Sequence, residues 1–250
     1  MSLAGKRIVN TRALHQAAEF DSLLQNAGAI PLSYPCIAIV PPEDTRALDE
    51  ALASNFDLLV LTSANTVLML AERLKALGLS LNGVKAAVVG EATEQSARAL
   101  LGVEISVIPD DYSAEGLADA LTVTEGMRVL LPQSMIAGDD LFSALVIRGA
   151  DALRVTAYRT IRGCGGVELA PLLKRSEVDA VTFTSASAAR FFAERLREEG
   201  GEIGEIPLVS IGAQTSQSLR ELGLKVSIQA EKHTLGGLID GLTTLFKEHP

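Results

Sequence analysis

The chain has 250 residues, 48% of them apolar and 21% charged, enough for one large domain or two small ones with a core that needs no staples. A net charge of −9 with 4% aromatics excludes a broad basic face for nucleic acid, so an anion has to be held locally, by backbone amides, helix N-termini and a few placed Arg or Lys. No run approaches the roughly 18 apolar residues of a spanning helix, and no basic-then-apolar signal opens the chain.

In chain order, the opening Met1-Ser2-Leu3 reads as a cloning remnant and is set aside. RIVN (7–10), FDLLVLT (56–62), AAVVG (86–90) and VEISVI (103–108) are short, apolar and rich in β-branched residues, as buried parallel strands are. Between them the spacing predicts helices. Asn65–Leu77 places Val67, Leu68, Leu70, Ala71 and Leu74 on one broad face, with Gly78 as the cap beyond its end. Ser187–Glu199 does the same with Phe192 and Leu196, ended by Gly200. YPCIAIVPP (34–42) and VTAYRTIRG (155–163) break the alternation and read as extended strands.

The chain repeats itself. DLLVLTSANTVLMLAERL from Asp57 matches DAVTFTSASAARFFAERL from Asp179, and VVGEATEQSARAL from Val88 matches SIGAQTSQSLREL from Ser210. YSAEGLADAL from Tyr112 meets HTLGGLIDGL from His233, GKRIVNT from Gly5 meets GMRVLLP from Gly126, and Gly28 meets Gly149. Roughly 5–121 and 126–242 are therefore copies of one unit, too long a period for a solenoid. Strand–helix alternation makes each copy a parallel sheet covered on both faces. The expected fold is α/β: two similar parallel-sheet domains from an internal duplication, joined by a two-stranded β linker. If the two extended segments cross between the domains, 1–35 plus 162–250 form one discontinuous domain and 39–157 the other, with linker strands near 35–39 and 157–161. A simple split near 123 is the competing topology.

The repeated turns are the candidate site. Thr62-Ser63 and Thr184-Ser185 each end a strand and open a helix, where ligands of open α/β sheets bind. Ser63 and Ser185 are either plain N-caps or caps whose neighbouring amides also hold an anion. Gly90 and Gly212 end strands too, with Thr93 and Thr215 in the first helical turn. They form either tight capped turns or places where a ligand approaches the backbone closely. Ser113, in YSAEG opposite HTLGG, belongs to a third pair, and NTR (10–12) with PQS (132–134) make a fourth. Two domains with these edges facing would form a cleft lined with amides and hydroxyls, suited to a large polyanion.

TSAN with TSAS, VGEAT with IGAQT, the early NTR, and VTAYRT between the halves resemble the uroporphyrinogen-III synthase family, from about Arg7 to Leu242. The resemblance implies two α/β domains, the first discontinuous, joined by a two-stranded ladder. It implies an enzyme that closes hydroxymethylbilane, a linear tetrapyrrole with eight carboxylates, into uroporphyrinogen III for haem and related pigments. Water is lost, the terminal D pyrrole is inverted, a spirocyclic intermediate is the usual proposal, and neither cofactor nor metal is used. It makes Tyr158, in AYRT, the acid near the leaving hydroxyl; the bland alternative is an aromatic packed over a wall. It makes Arg12 a carboxylate contact through its bidentate fork, against a surface arginine at a helix start. Ser63, Gly90, Thr93, Ser113, Ser185, Gly212 and Thr215 then hold acetates or propionates, largely through backbone N–H. The chain departs from the family at QSMIAGD (133–139), which lacks the arginine often found after that strand.

Two other readings stand beside this one. A cytosolic two-domain module binding a polyanionic small molecule in the interdomain cleft fits the same architecture without turnover. A nucleotide-dependent enzyme is disfavoured, because no GxGxxG or GxxxxGK[ST] follows a strand. Cys36 and Cys164 sit in no metal or redox motif and read as reduced thiols. The expectation is a cytoplasmic monomer, away from membranes, with a small-molecule partner.

Overall fold

The computed structural model describes residues 3–111 and 113–248; Met1, Ser2, His249, Pro250 and the Tyr112 of the YSAEG turn lie outside them. In chain order the elements are β1 (Arg7–Asn10), α1 (Leu14–Asn26), β2 (Ile30–Ser33), β3 (Ile37–Val40), α2 (Arg46–Ala53), β4 (Leu58–Leu61), α3 (Ala64–Leu77), β5 (Lys85–Val88), α4 (Glu91–Leu101), β6 (Glu104–Val107) and α5 (Ala114–Ala120). They continue as β7 (Arg128–Ser134), α6 (Asp140–Ile147), β8 (Asp151–Arg162), α7 (Leu169–Lys174), β9 (Ala180–Phe183), α8 (Ala186–Glu198), β10 (Leu208–Ser210), α9 (Ala213–Glu221), β11 (Val226–Gln229) and α10 (Leu235–Glu248).

Two compact units result, one from residues 1–38 with 161–250, the other from 39–160. The first holds a five-stranded sheet in the order β11-β10-β9-β1-β2, the second a sheet in the order β3-β8-β7-β4-β5-β6. The ladders of the first sheet, and those from β8 to β6 in the second, are parallel. The chain passes from one unit to the other within β3 and again within β8.

Successive residues of a strand face opposite sides of a sheet, and each sheet is apolar on both. In the first unit Val9, Val181, Phe183 and Leu208 pack under Phe192 and Leu196 of α8, while Ile8, Ala180 and Val209 pack under Phe20 of α1 and Leu238 of α10. In the second, Leu59, Leu61, Ala86 and Val88 meet Val67 and Leu70 of α3, and Leu58, Val60, Ala87 and Val129 meet Leu117 of α5 and Leu141 of α6. Strands buried on both faces explain why the sequence shows continuous apolar runs rather than alternation.

The duplication reaches single hydrogen bonds. Asp179 accepts the backbone N–H of Arg7 at 2.7 Å, and Asp57 accepts that of Arg128 at 2.9 Å, so the first strand of each copy is tied in the same way to a strand of the other copy. Gly116 and Gly237 donate to the cap oxygens of Ser113 and Thr234 at 2.9 and 3.0 Å. A Cβ on either would lie 2.4 or 2.1 Å from the carbonyl oxygen of Asp111 or Lys232, which accounts for the glycine in both repeats.

Two expectations need correction. Leu3 is fully buried in the core beneath α1 and α10, so this part of the opening tripeptide is structural. Pro132-Gln133-Ser134 is not a turn: β7 runs through it, with Pro132 opposite Val155 and Gln133 opposite Thr156 of β8. Proline is tolerated there because the pairing of β7 with β4 stops at Leu130.

Candidate functional site

The turn residues fall in two rows, one at the carboxyl edge of each sheet. In the second unit, crossing from β8 to β6, the row is Tyr158, Ser63 after β4, Gly90 and Thr93 after β5, and Ser113 after β6. In the first unit, crossing from β1 to β11, it is Arg12, Ser185 after β9, Gly212 and Thr215 after β10, and His233 with Thr234 after β11.

Ser63 and Ser185 are the N-caps of α3 and α8, accepting from Thr66 and Ala188 N–H, each at 3.1 Å. The cap uses a lone pair and leaves the hydroxyl proton free. In Ser63 that hydroxyl lies 3.0 Å from the Thr66 hydroxyl and 3.3 Å from the phenol oxygen of Tyr158. Nothing equivalent meets Ser185 among the described residues: position 188 is alanine, and no tyrosine faces it. The two TSA turns are thus alike as caps and different as chemistry.

Tyr158 is buried, at 8% exposure. A β-bulge aims it. The register of β7 with β8 shifts between Gln133 and Ser134, so Ser134 faces Tyr158 after Gln133 faces Thr156. Met135 N–H donates to the Tyr158 carbonyl at 2.9 Å and fixes the backbone. The phenol then reaches across the end of β7 to the cap of α3.

Gly90 and Gly212 are the N-caps of α4 and α9 in fully extended conformation, so no side-chain oxygen competes for the first amides of either helix. At Gly212 a Cβ would sit 3.0 Å from the exposed His233 ring. Thr93 and Thr215 are each 4% exposed, and neither hydroxyl makes a hydrogen bond among the described residues. Ser113 caps α5 but gives its proton to Asp111 at 2.9 Å, so its side chain is fully engaged and only the helix amides beyond it remain.

Arg12 is the cation of the first row. Its side chain is 13% exposed, 3.6 Å from Glu19, and its Nε is buried without a partner. Burial pushes its pKa down, and the charges of Glu19 and Asp21 only partly offset that. An arginine does not give up its proton, so the unmet donor and the desolvated charge both call for an anion.

The sequence did not point to Thr66, whose buried hydroxyl completes the Ser63 network; a threonine in a first helical turn carries no distinguishing signal. Nor did it show that Tyr34, the other buried tyrosine among the described residues, is structural: its hydroxyl donates to Glu199 at 3.0 Å, and Arg195 lies 3.8 Å over its ring. Among the described residues no His/Cys/Asp/Glu cluster could hold a metal, and no helix is long and apolar enough to cross a membrane.

Comparison with known proteins adds relatives. A family profile described as uroporphyrinogen-III synthase HemD matches residues 18–240. Uroporphyrinogen-III synthase of Synechococcus elongatus is 33% identical over 249 residues, covering 95% of this chain and 94% of that protein. A putative uroporphyrinogen-III synthase of Methanothermobacter thermautotrophicus is 30% identical, covering 95% of this chain and 98% of that one. The crystal structure of a mutant uroporphyrinogen III synthase from the extremely thermophilic bacterium Thermus thermophilus superposes with a TM-score of 0.65 at 26% identity, over 98% of this chain and all of that one (100%).

Proposed function

The chain belongs to the uroporphyrinogen-III synthase family, and on that premise we propose that it closes hydroxymethylbilane into uroporphyrinogen III, with loss of water and inversion of the terminal D pyrrole. The observation that carries the mechanism is the Tyr158–Ser63 contact, 3.3 Å between oxygens at a carboxyl edge of the duplicated sheets.

Tyr158 is the general acid. Its proton passes to the leaving hydroxyl, the carbon–oxygen bond breaks, and water departs. The pyrrole nitrogen shares the resulting positive charge. A phenol is a weak acid, so the forming phenolate needs a donor. Ser63 supplies one, because its lone pair is held by Thr66 N–H and its proton can turn to Tyr158. A carbon–carbon bond to the D ring then forms, the spirocyclic species opens, and reclosure leaves that ring inverted. The proton lost on rearomatisation returns to the phenolate, so the acid is regenerated and water is the only other product.

The carboxylates are held by arrangement more than by charge. Arg12 takes one through its guanidinium. The first amides of α3, α4, α8 and α9, at Ser63, Gly90, Ser185 and Gly212, take others, with Thr93 and Thr215 adding hydroxyls. Ser113 contributes through the amides of α5 alone. Positioning a long flexible substrate for ring closure is itself a large source of rate. The same reading has the chain acting as a cytoplasmic monomer without a cofactor. Two free thiols, one buried and one exposed, fit a reducing compartment.

The test is to mix the protein with fresh hydroxymethylbilane, oxidise the products and separate the porphyrin isomers. Excess type III over the spontaneous type I background is expected. Type I alone, from folded protein that binds the tetrapyrrole, overturns the synthase reading and leaves a binding module.

A further inference from the structure

Asn10 closes β1 fully buried, and it is an amide where the duplication has a leucine. The match of GKRIVNT from Gly5 with GMRVLLP from Gly126 places it opposite Leu131, which is fully buried as well. The fold therefore accepts an apolar side chain at this position, and the amide has another reason to be there. Burying an amide is costly unless its hydrogen bonds are met. Here they are. Oδ1 of Asn10 accepts the backbone N–H of Arg12 at 3.1 Å, while Nδ2 donates to Oδ1 of Asp21 at 2.8 Å and to the Ala17 carbonyl at 3.2 Å. These partners fix the orientation of the amide: the N–H needs the oxygen, and the carboxylate and carbonyl need the nitrogen.

The contacts lie on one side of the sheet. Asn10 shares its strand face with Ile8, which packs under Phe20 of α1, and α1 carries both Ala17 and Asp21. The two copies part at this point. β7 continues to Ser134, whereas β1 stops at Asn10 and the chain turns, with the Asn10 side chain bridging to the amide two residues on. That turn carries Arg12, whose buried Nε has no partner among the described residues. Burial disfavours the guanidinium charge, and Glu19 and Asp21 offset part of that. The residue that holds Asn10 thus also supports the arginine.

We propose that Asn10, held by Asp21, is a positioning residue that fixes the turn from which Arg12 meets a carboxylate of the tetrapyrrole. This rests on the synthase reading above and deepens it. A long arginine side chain loses rotamer freedom when it grips a carboxylate, and a backbone already fixed leaves less to be ordered at that moment. Asn10 is itself fully buried and does not reach the ligand. Its effect passes through Arg12 and falls on binding rather than on the chemical step.

The test is a double-mutant cycle of Asn10→Leu with Arg12→Met, read by steady-state kinetics on hydroxymethylbilane beside urea unfolding. Asn10→Leu installs the side chain that the equivalent position already buries. It is expected to raise KM roughly five- to tenfold with kcat within about twofold, and to change KM less than about twofold once Arg12→Met is present. Unchanged KM in folded Asn10→Leu overturns the proposal. An equal rise of KM in both backgrounds also overturns it, since Asn10 would then act on the fold of the site and not through Arg12. Should Asn10→Leu overfill its place and fail to fold, Asn10→Ala, which leaves space there, is judged by the same comparison. Unchanged KM in Arg12→Met alone overturns the carboxylate contact and this proposal with it. A wild-type protein that makes no type III isomer would be a failure of the synthase reading, which the cycle does not enter.

Discussion

The phenol oxygen of Tyr158 lies 3.3 Å from Oγ of Ser63, though 95 positions separate them in the chain. The same Oγ accepts the N–H of Thr66 at 3.1 Å and so also caps α3. One oxygen therefore joins the stability of a helix start to the placement of the proposed acid. Its counterpart Ser185 caps α8 alone.

That asymmetry predicts a divergence between two equal-looking substitutions. Ser63→Ala and Ser185→Ala should each cost about 1 kcal/mol of stability through the lost cap. Only Ser63→Ala should lower kcat, by roughly tenfold, since it also removes the donor to the forming phenolate. Ser185→Ala should act chiefly on KM. Denaturant unfolding and steady-state kinetics on both variants check this; equal kinetic effects would refute the assignment.

Arg12→Met should separate function from stability. Burial disfavours the guanidinium charge, and its Nε has no partner. Replacing it with an apolar side chain of similar reach should leave the unfolding free energy unchanged or slightly raised. KM should rise roughly tenfold or more with the loss of a charge-assisted contact to a carboxylate. A clear loss of stability with KM unaffected would make Arg12 a structural residue.

Gly163 follows β8, and a Cβ there would lie 2.6 Å from the Pro35 carbonyl oxygen and 2.8 Å from that of Ile37. These are backbone atoms, and Gly163 N–H itself donates to the Cys36 carbonyl at 2.9 Å. Gly163→Ala should therefore destabilise the protein by about 2–3 kcal/mol, at the upper end of overpacking costs. Equilibrium unfolding in urea measures it.

The repeated architecture was legible because both copies solve the same local problems with the same residues. Asp57 and Asp179 each hold the neighbouring strand's first N–H, Ser63 and Ser185 each cap a helix, and Gly116 and Gly237 each make room for a loop carbonyl. Other features hid because they depend on partners far along the chain. β2 (Ile30–Ser33) is a partly exposed edge strand with a proline in it, so it shows no apolar run. Pro132-Gln133-Ser134 has turn residues yet continues β7, because β8 supplies the ladder and β4 has already left it. The bulge that aims Tyr158 belongs to the pairing of two strands and to neither alone. Gln133 lies in the PQS stretch, but only its burial without a partner sets it apart.

Acid stability should depend on Asp57. Its carboxylate is held below the ordinary 3.8, first by the Arg128 side chain and then by the Arg128 N–H. A depressed carboxyl contributes stability that is present above its unfolded value and is lost as pH falls through its folded value. Asp57→Asn should therefore lower the melting temperature at pH 7, and the gap to wild type should close as pH drops below about 3.8. Melting curves between pH 7 and pH 2 test it; a gap independent of pH would mean that the ionised form contributes nothing.

The most direct measurement of the proposed mechanism is the single-turnover rate of hydroxymethylbilane consumption by wild type and Tyr158→Phe, with the product isomers scored in the same samples. If Tyr158 is the acid that Ser63 supports, the rate falls by roughly 100-fold or more, while the residual product is still type III because the edge amides and Arg12 still fold the substrate. A Tyr158→Phe rate within a few-fold of wild type would contradict the account and leave positioning as the source of the rate.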